Sequence, residues 1–138
     1  MIALVDTCVW SLALRRSEKH LNVRETHTLK LLKEAILEGR ARMLGVIRQE
    51  LLSGIRHKEQ FEATLAATRS FADISLEIAD YEEAAVASNH CRAVGIAGSP
   101  VDFLLCAVAM RRSWAILTTD KDFARYQKQL PFALMSDP

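Results

Sequence analysis

Residues 2–10 read Ile2-Ala3-Leu4-Val5-Asp6-Thr7-Cys8-Val9-Trp10. The four apolar residues at the start show no polar alternation, the pattern of a short strand buried on both faces, as in a parallel sheet covered by helices. Asp6 then falls at the strand's carboxyl end. In open α/β sheets the ligand crevice lies outside the carboxyl ends of the strands, so an acid at this point is placed for chemistry. It is equally well placed to cap a following helix, because an Asp or Thr side chain accepts from the unpaired N–H groups of a first turn. One position thus carries both a chemical and a structural reading.

The pattern recurs downstream. Trp114-Ala115-Ile116-Leu117-Thr118 repeats the character of the first strand and delivers Thr118, Thr119, Asp120 and then Asp122 at its end. Ser99-Pro100-Val101-Asp102 has serine at N-cap, proline at N1 and an acid at N3, a strong helix start, and the apolar run Phe103 to Met110 predicts that this helix is buried. Between these markers, helices are expected over Thr7–Arg15, Val23–Glu38, Val46–Ser53, Lys58–Arg69, Leu76–Val94 and Lys121–Leu130, with brief strands at Arg42–Leu44 and Phe132–Met135. Along Leu76–Val94, Ile78, Tyr81, Ala85 and Ala87 are interleaved with acids and read as the apolar stripe of an amphipathic helix closed by Gly95. Strands alternating with helices imply an α/β sandwich with a small, mostly parallel central sheet.

With 138 residues the chain is expected to form one domain, Met1–Pro138, with a real core. No apolar run approaches the roughly 18 residues of a membrane span, and no secretory signal is visible, so a cytoplasmic protein with no membrane partner is expected. Cys8, Cys91 and Cys106 are odd in number and lack Cys-x-x-Cys spacing, against a disulfide framework or a structural zinc site. Cys8 and Cys106 lie within apolar runs and read as small core residues. His20, His27, His57 and His90 lack ligand spacing and read as ordinary surface positions. The net charge is only +1, yet Met1–Lys58 holds 11 basic and 6 acidic residues, Glu59–Met110 two basic and 8 acidic, and Arg111–Pro138 five basic and three acidic. That asymmetry fits a basic face for a polyanion, and equally a solvated face. Arg15, Arg16 and Lys19, with Lys121 or Arg125, are the candidate cations of such a polyanion-binding face.

Two strand ends and two helix starts are each expected to present an acid: Asp6, Glu50, Asp102, and Asp120 with Asp122. If they converge they repel one another and raise each other's pKa unless a cation neutralises them. Ligands that are all oxygen, without His or Cys, select hard ions such as Mg²⁺ or Mn²⁺, and ions held by carboxylates are common apparatus for phosphodiester cleavage.

These motifs together resemble the PIN-domain ribonucleases, and specifically the VapC toxins of bacterial toxin–antitoxin pairs. The resemblance rests on Val5-Asp6-Thr7 followed by Val9-Trp10, on Glu50-Leu51-Leu52-Ser53-Gly54, on Asp102 through Ala109, and on Leu117-Thr118-Thr119-Asp120-Lys121-Asp122-Phe123. It implies a PIN-like α/β/α sandwich and an Mg²⁺- or Mn²⁺-dependent endoribonuclease in which water activated by the ion hydrolyses RNA. Asp6, Glu50, Asp102 and a final Asp would be the metal-binding acids, with Thr7 and Thr118 in support. Asp120 is the preferred fourth ligand and Asp122 its rival or helper. The Pro100-Val101 pair stands where the family commonly has a small polar residue before this acid. The resemblance also implies a homodimer and a small antitoxin that occludes the groove in a hetero-oligomer. Two other functions are compatible with parts of the pattern: a non-catalytic RNA- or partner-binding PIN module, and a phosphatase forming a phosphoaspartate. The second wants an acid two residues after Asp6, where this chain has Cys8.

Overall fold

The computed structural model describes residues 1–15 and 18–136. β1 (Ala3–Val5) is fully buried and lies inside the sheet, parallel to β2 (Ala41–Arg42) on one side and to β3 (Ala115–Leu117) on the other. Leu4 stands opposite Arg42 and Ile116, and Val5 opposite Leu117. β4 (Ala133–Leu134) pairs with β3, giving the order β2-β1-β3-β4. Every pairing among these strands is parallel, where the sequence implied a mostly parallel sheet. Each link between strands runs through at least one helix, as parallel neighbours require.

The helices are α1 (Thr7–Leu14), α2 (Val23–Leu37), α3 (Gly45–Ser53), α4 (Lys58–Thr68), α5 (Ile78–Ala93), α6 (Pro100–Arg112) and α7 (Asp122–Gln127), with a 3-10 turn at Glu18–His20. They flank the sheet as an α/β/α sandwich. Among the described residues no helix is long and apolar enough to cross a membrane. α2 begins with a capping box in which Asn22 accepts from the Glu25 N–H and Glu25 accepts from the Asn22 N–H, and it ends at Gly39, whose φ of +69° suits a residue without Cβ. α6 starts as its sequence dictates, Ser99 Oγ accepting from the Asp102 N–H at 3.1 Å. Phe103 through Ala109 are all buried, and each large apolar side chain removed from water there contributes about 1.5–3 kcal/mol.

Three expectations need correction. The second strand is Ala41–Arg42 rather than Arg42–Leu44, because Met43 leaves the ladder to form an isolated bridge with Asp73. The last helix stops at Gln127, where the Gln129 and Leu130 N–H groups both turn back to the Tyr126 carbonyl. Along α5 the inward stripe is Asp80, Ala87 and Cys91, whereas Ile78 and Tyr81 are 80% and 55% exposed. Asp80 can face inward because Arg111 and Arg112 of α6 meet it there, at 2.6 and 2.7 Å.

β1 leads outward to β2, and the chain then returns to lay β3 on the opposite side of β1. The carboxyl ends of β1 and β3 therefore flank the topological switch point, where open α/β sheets form their ligand crevice.

Candidate active site

Asp6 leaves β1 with extended backbone and serves as N-cap of α1. The structural and chemical readings of this residue are both realised, one oxygen to each. Its Oδ1 accepts from the Thr7 N–H at 2.8 Å, and its Oδ2 accepts from the Thr118 hydroxyl at 2.8 Å across the switch point. Thr118 Oγ1 in turn accepts from the Asp120 N–H at 3.0 Å, and Asp120 Oδ1 accepts from the Asp122 N–H at 2.9 Å. On the other side, the Thr7 hydroxyl donates to Glu50 Oε1 of α3 at 2.7 Å. Asp102, on the first turn of α6, takes a 2.7 Å bond at Oδ2 from the hydroxyl of Tyr126.

The electrostatics tie these pieces into one neighbourhood. Burial above all raises the Asp6 carboxyl from its ordinary 3.8, and the charge of Asp102 raises it further, against the hydrogen bonds from Thr118, Thr7 and Cys8. The Cys106 thiol, one turn beyond Asp102 on α6, is pushed up by burial and then by the charges of Asp102, Cys91 and Asp6. Tyr126 is held protonated by burial and by its bond to Asp102, with the charges of Asp122 and Asp120 adding to that.

Among the described residues, none of the ion pairs engages Asp6, Glu50, Asp102 or Asp120. Nor do any three His, Cys, Asp or Glu side chains there gather closely enough to hold one ion. The carboxylates share a region without closing into a cluster, because each is held by its own donor: Thr118 for Asp6, Thr7 for Glu50, Tyr126 for Asp102 and the Asp122 N–H for Asp120. The donor set is nonetheless all oxygen, and a buried acid raised by a neighbouring acid, with no cationic side chain between them, suits a hard divalent cation.

The remaining candidates are distributed around this centre. Asp122 turns to Arg125 at 3.7 Å, both half-exposed, while Asp120 stays bonded to Thr118. Arg15 donates to the Gly54 carbonyl at the end of α3, Lys19 and Lys121 are exposed, and Arg16 lies outside the described residues.

A family model described as PIN domain matches residues 3–129. The chain belongs to the PIN domain family. Among solved structures, that of FitAcB from Neisseria gonorrhoeae is similar at a TM-score of 0.74 and 18% identity, covering 98% of this chain and 97% of that one. VapBC2 from Rickettsia felis, bound to a DNA fragment from their promoter, gives 0.65 and 19%, covering 99% and 98%. FitAB bound to an IR36 DNA fragment gives 0.72 and 18%, covering 97% and 94%. At such identities the likeness is one of fold. No curated protein matches significantly.

Two residues of this PIN domain's site escaped the sequence reading. Cys8 is not a core residue. Half-buried, it lies 3.6 Å from Asp6 Oδ2 and 3.5 Å from Thr118 Oγ1, and accepts from the Thr119 N–H at 3.4 Å. In sequence nothing marks it, since residues two apart do not share a helix face and an apolar residue would fit there equally well. Tyr126 is fully buried among Phe103 and Phe123, with ring centroids 5.0 and 5.2 Å away, and looks in sequence like any apolar position of α7. Only its hydroxyl distinguishes it.

Proposed function

We propose that Met1–Pro138 acts as a single PIN domain and is a metal-dependent endoribonuclease, the VapC-type toxin of a cytoplasmic toxin–antitoxin pair. The observation that carries this reading is the Asp6–Thr118 bond across the switch point, with Asp102 close enough to raise the Asp6 carboxyl. Asp6, Asp102, Asp120 and Glu50 are assigned as the acids that would hold Mg²⁺ or Mn²⁺, with Asp122 in a helping role. Such an ion supplies charge neutralisation at the phosphate and a more acidic water. The chain's own contribution is to orient the carboxylates: Thr118 fixes one oxygen of Asp6, Thr7 holds Glu50, and Tyr126 leaves Oδ1 of Asp102 uncommitted. Asp120 is preferred over Asp122 because it is joined to Asp6 through Thr118, whereas Asp122 pairs with Arg125.

The partners follow from the same reading. The folds it resembles include VapBC2, FitAcB and FitAB, two of them bound to DNA, which supports a cognate antitoxin, a homodimer and a toxin–antitoxin hetero-oligomer here. The test is incubation of the purified protein with single-stranded RNA and Mg²⁺ or Mn²⁺. Cleavage that stops in excess chelator is expected. Full activity in chelator refutes the metal assignment, and RNA binding without cleavage in Mn²⁺ points to the non-catalytic module instead.

A further inference from the structure

Beside the acids, a groove of about 570 Å³ opens between the N-terminal half of α2 and the segment that follows β3. Its size lies within the range of about 300–1,000 Å³ that small-molecule-sized ligands occupy. One wall carries Arg24 and Leu31, and the other carries Thr118, Asp120 and Lys121. Thr118 and Asp120 thus belong at once to this groove and to the network around Asp6. Leu31, Leu117 and Leu134 make the deeper lining mostly apolar, with buried Thr28 and half-buried His27 among them, while Ala124 and the charges sit toward solvent. Arg24 and Lys121 are exposed, and among the described residues neither enters an ion pair. Two cations against the single charge of Asp120 make the groove's surroundings favourable to an anion, in contrast to the acids next door.

An apolar interior with cations at its edge matches one unit of a single-stranded nucleic acid, whose base wants burial and whose phosphate wants a cation. We propose that this groove is the subsite for the nucleotide next to the cleaved linkage in a single-stranded RNA. The base lies against Leu31, Ala124 and Leu134, and the phosphate lies between Arg24 and Lys121. The inference rests on the ribonuclease reading above and adds to it the direction in which the strand leaves the acids. Aliphatic contact with a base is tolerant of sequence, so the subsite contributes affinity and position more than base choice.

Two exposed positions test this without touching the acids. Arg24→Glu reverses a charge, and Ala124→Phe fills the groove from the surface of α7. The readout is binding of an end-labelled, short single-stranded RNA in EDTA, measured across a salt series, with each nucleotide in turn made abasic. Wild-type protein is expected to lose affinity most when one particular base is missing, and that base is to lie beside the cut mapped separately in Mn²⁺. Arg24→Glu is expected to weaken binding about tenfold, the size of one charge-assisted hydrogen bond, and to reduce the salt slope by about 0.7. Ala124→Phe is expected to abolish the dependence on that one base while leaving the salt slope unchanged. Unaltered melting temperatures certify that both variants fold. If wild-type protein cuts the RNA and both variants bind it as wild type does, the subsite is refuted and the ribonuclease reading survives; a groove that serves a protein partner gives this result. If every abasic position is equivalent, the base contact is refuted. If wild-type protein neither binds nor cuts the RNA, both readings fall together.

Discussion

The hydroxyl of Tyr126 donates to Oδ2 of Asp102 at 2.7 Å, joining α7 to the first turn of α6. Burial and the Asp102 charge keep that hydroxyl protonated beyond the ordinary tyrosine range, so the bond persists wherever the protein is folded at neutral or mildly alkaline pH. Tyr126→Phe retains the ring between Phe103 and Phe123 and deletes only the donor. The expected stability loss is about 1.5 kcal/mol, the low end for a bond to a charged group, since Asp102 is half-buried. Cleavage and Mn²⁺ affinity are expected to fall about 10- to 100-fold, as when a ligand's supporting bond is removed. A denaturant melt and a Mn²⁺ titration check both, and lost stability with unchanged Mn²⁺ affinity means that Asp102 needs no positioning.

Asp6 gives a pH dependence of definite sign. Its folded-state pKa is raised chiefly by burial, so the folded protein holds the proton more tightly than the unfolded chain. The contribution of Asp6 to stability therefore declines as pH rises from its ordinary 3.8 through the raised value, and the penalty is complete above that. Asp6→Asn removes this charge while preserving an acceptor for the Thr7 N–H, since Asn caps helices about as well as Asp. The metal-free variant is expected to be as stable as wild type or more so at neutral pH, to cut no RNA, and to show a smaller Mn²⁺-induced rise in melting temperature. A destabilised variant with an undiminished Mn²⁺ shift reduces Asp6 to a helix cap.

Asp80 has the opposite sign. Fully buried, it accepts from Arg111, from both terminal nitrogens of Arg112 and from the Glu77 N–H, and these bonds, with Arg112 foremost, hold it well below the usual carboxylate range. Its stabilisation is fully present above its ordinary 3.8 and is lost as pH falls below that. Asp80→Asn leaves two guanidinium groups facing a neutral amide and is expected to cost roughly 3–5 kcal/mol. Arg112 lies ten residues along α6 from Asp102, about 15 Å at 1.5 Å per residue, so cleavage per folded molecule is expected to be unchanged. Acid denaturation curves and rates at low temperature provide the measurement.

The contrast between α5 and α6 explains what could be read from the chain. The start of α6, its burial and the acid on its first turn all follow from local pattern, because Ser99, Pro100 and the apolar run each act within a few residues. The inward face of α5 does not, because Asp80 is buried by two arginines more than thirty positions away, and without them Ile78 and Tyr81 look like the better core residues. At the candidate site, Asp6, Asp102, Asp120 and Asp122 were legible as residues that end strands or begin helices, whereas Glu50, expected at a helix start, lies in the middle of α3 and was marked only by the family resemblance. Of the groups that hold them, Thr7 and Thr118 were expected from the family resemblance, whereas Cys8 and Tyr126 were not legible, since they occupy positions where apolar residues would fit equally well in sequence.

Gly98 links the packing of the site to its chemistry. A Cβ at this position would run into the Tyr126 hydroxyl and lie 2.8 Å from Tyr126 Cζ and 3.0 Å from Phe103 Cε2. The constraint is one of space, and the group that must give way is the one that supports Asp102. Gly98→Ala is expected to cost about 1–3 kcal/mol through overpacking and to weaken cleavage in the same manner as Tyr126→Phe, by displacing the hydroxyl. Removing that oxygen relieves the tightest contact, so in the double variant the alanine is expected to cost less than it does alone, and the effects on cleavage are not expected to add. Melts and single-turnover rates for the four proteins of this cycle measure the coupling. Additive effects on both mean that Gly98 acts through Phe103 or the backbone and leaves the Tyr126–Asp102 bond intact.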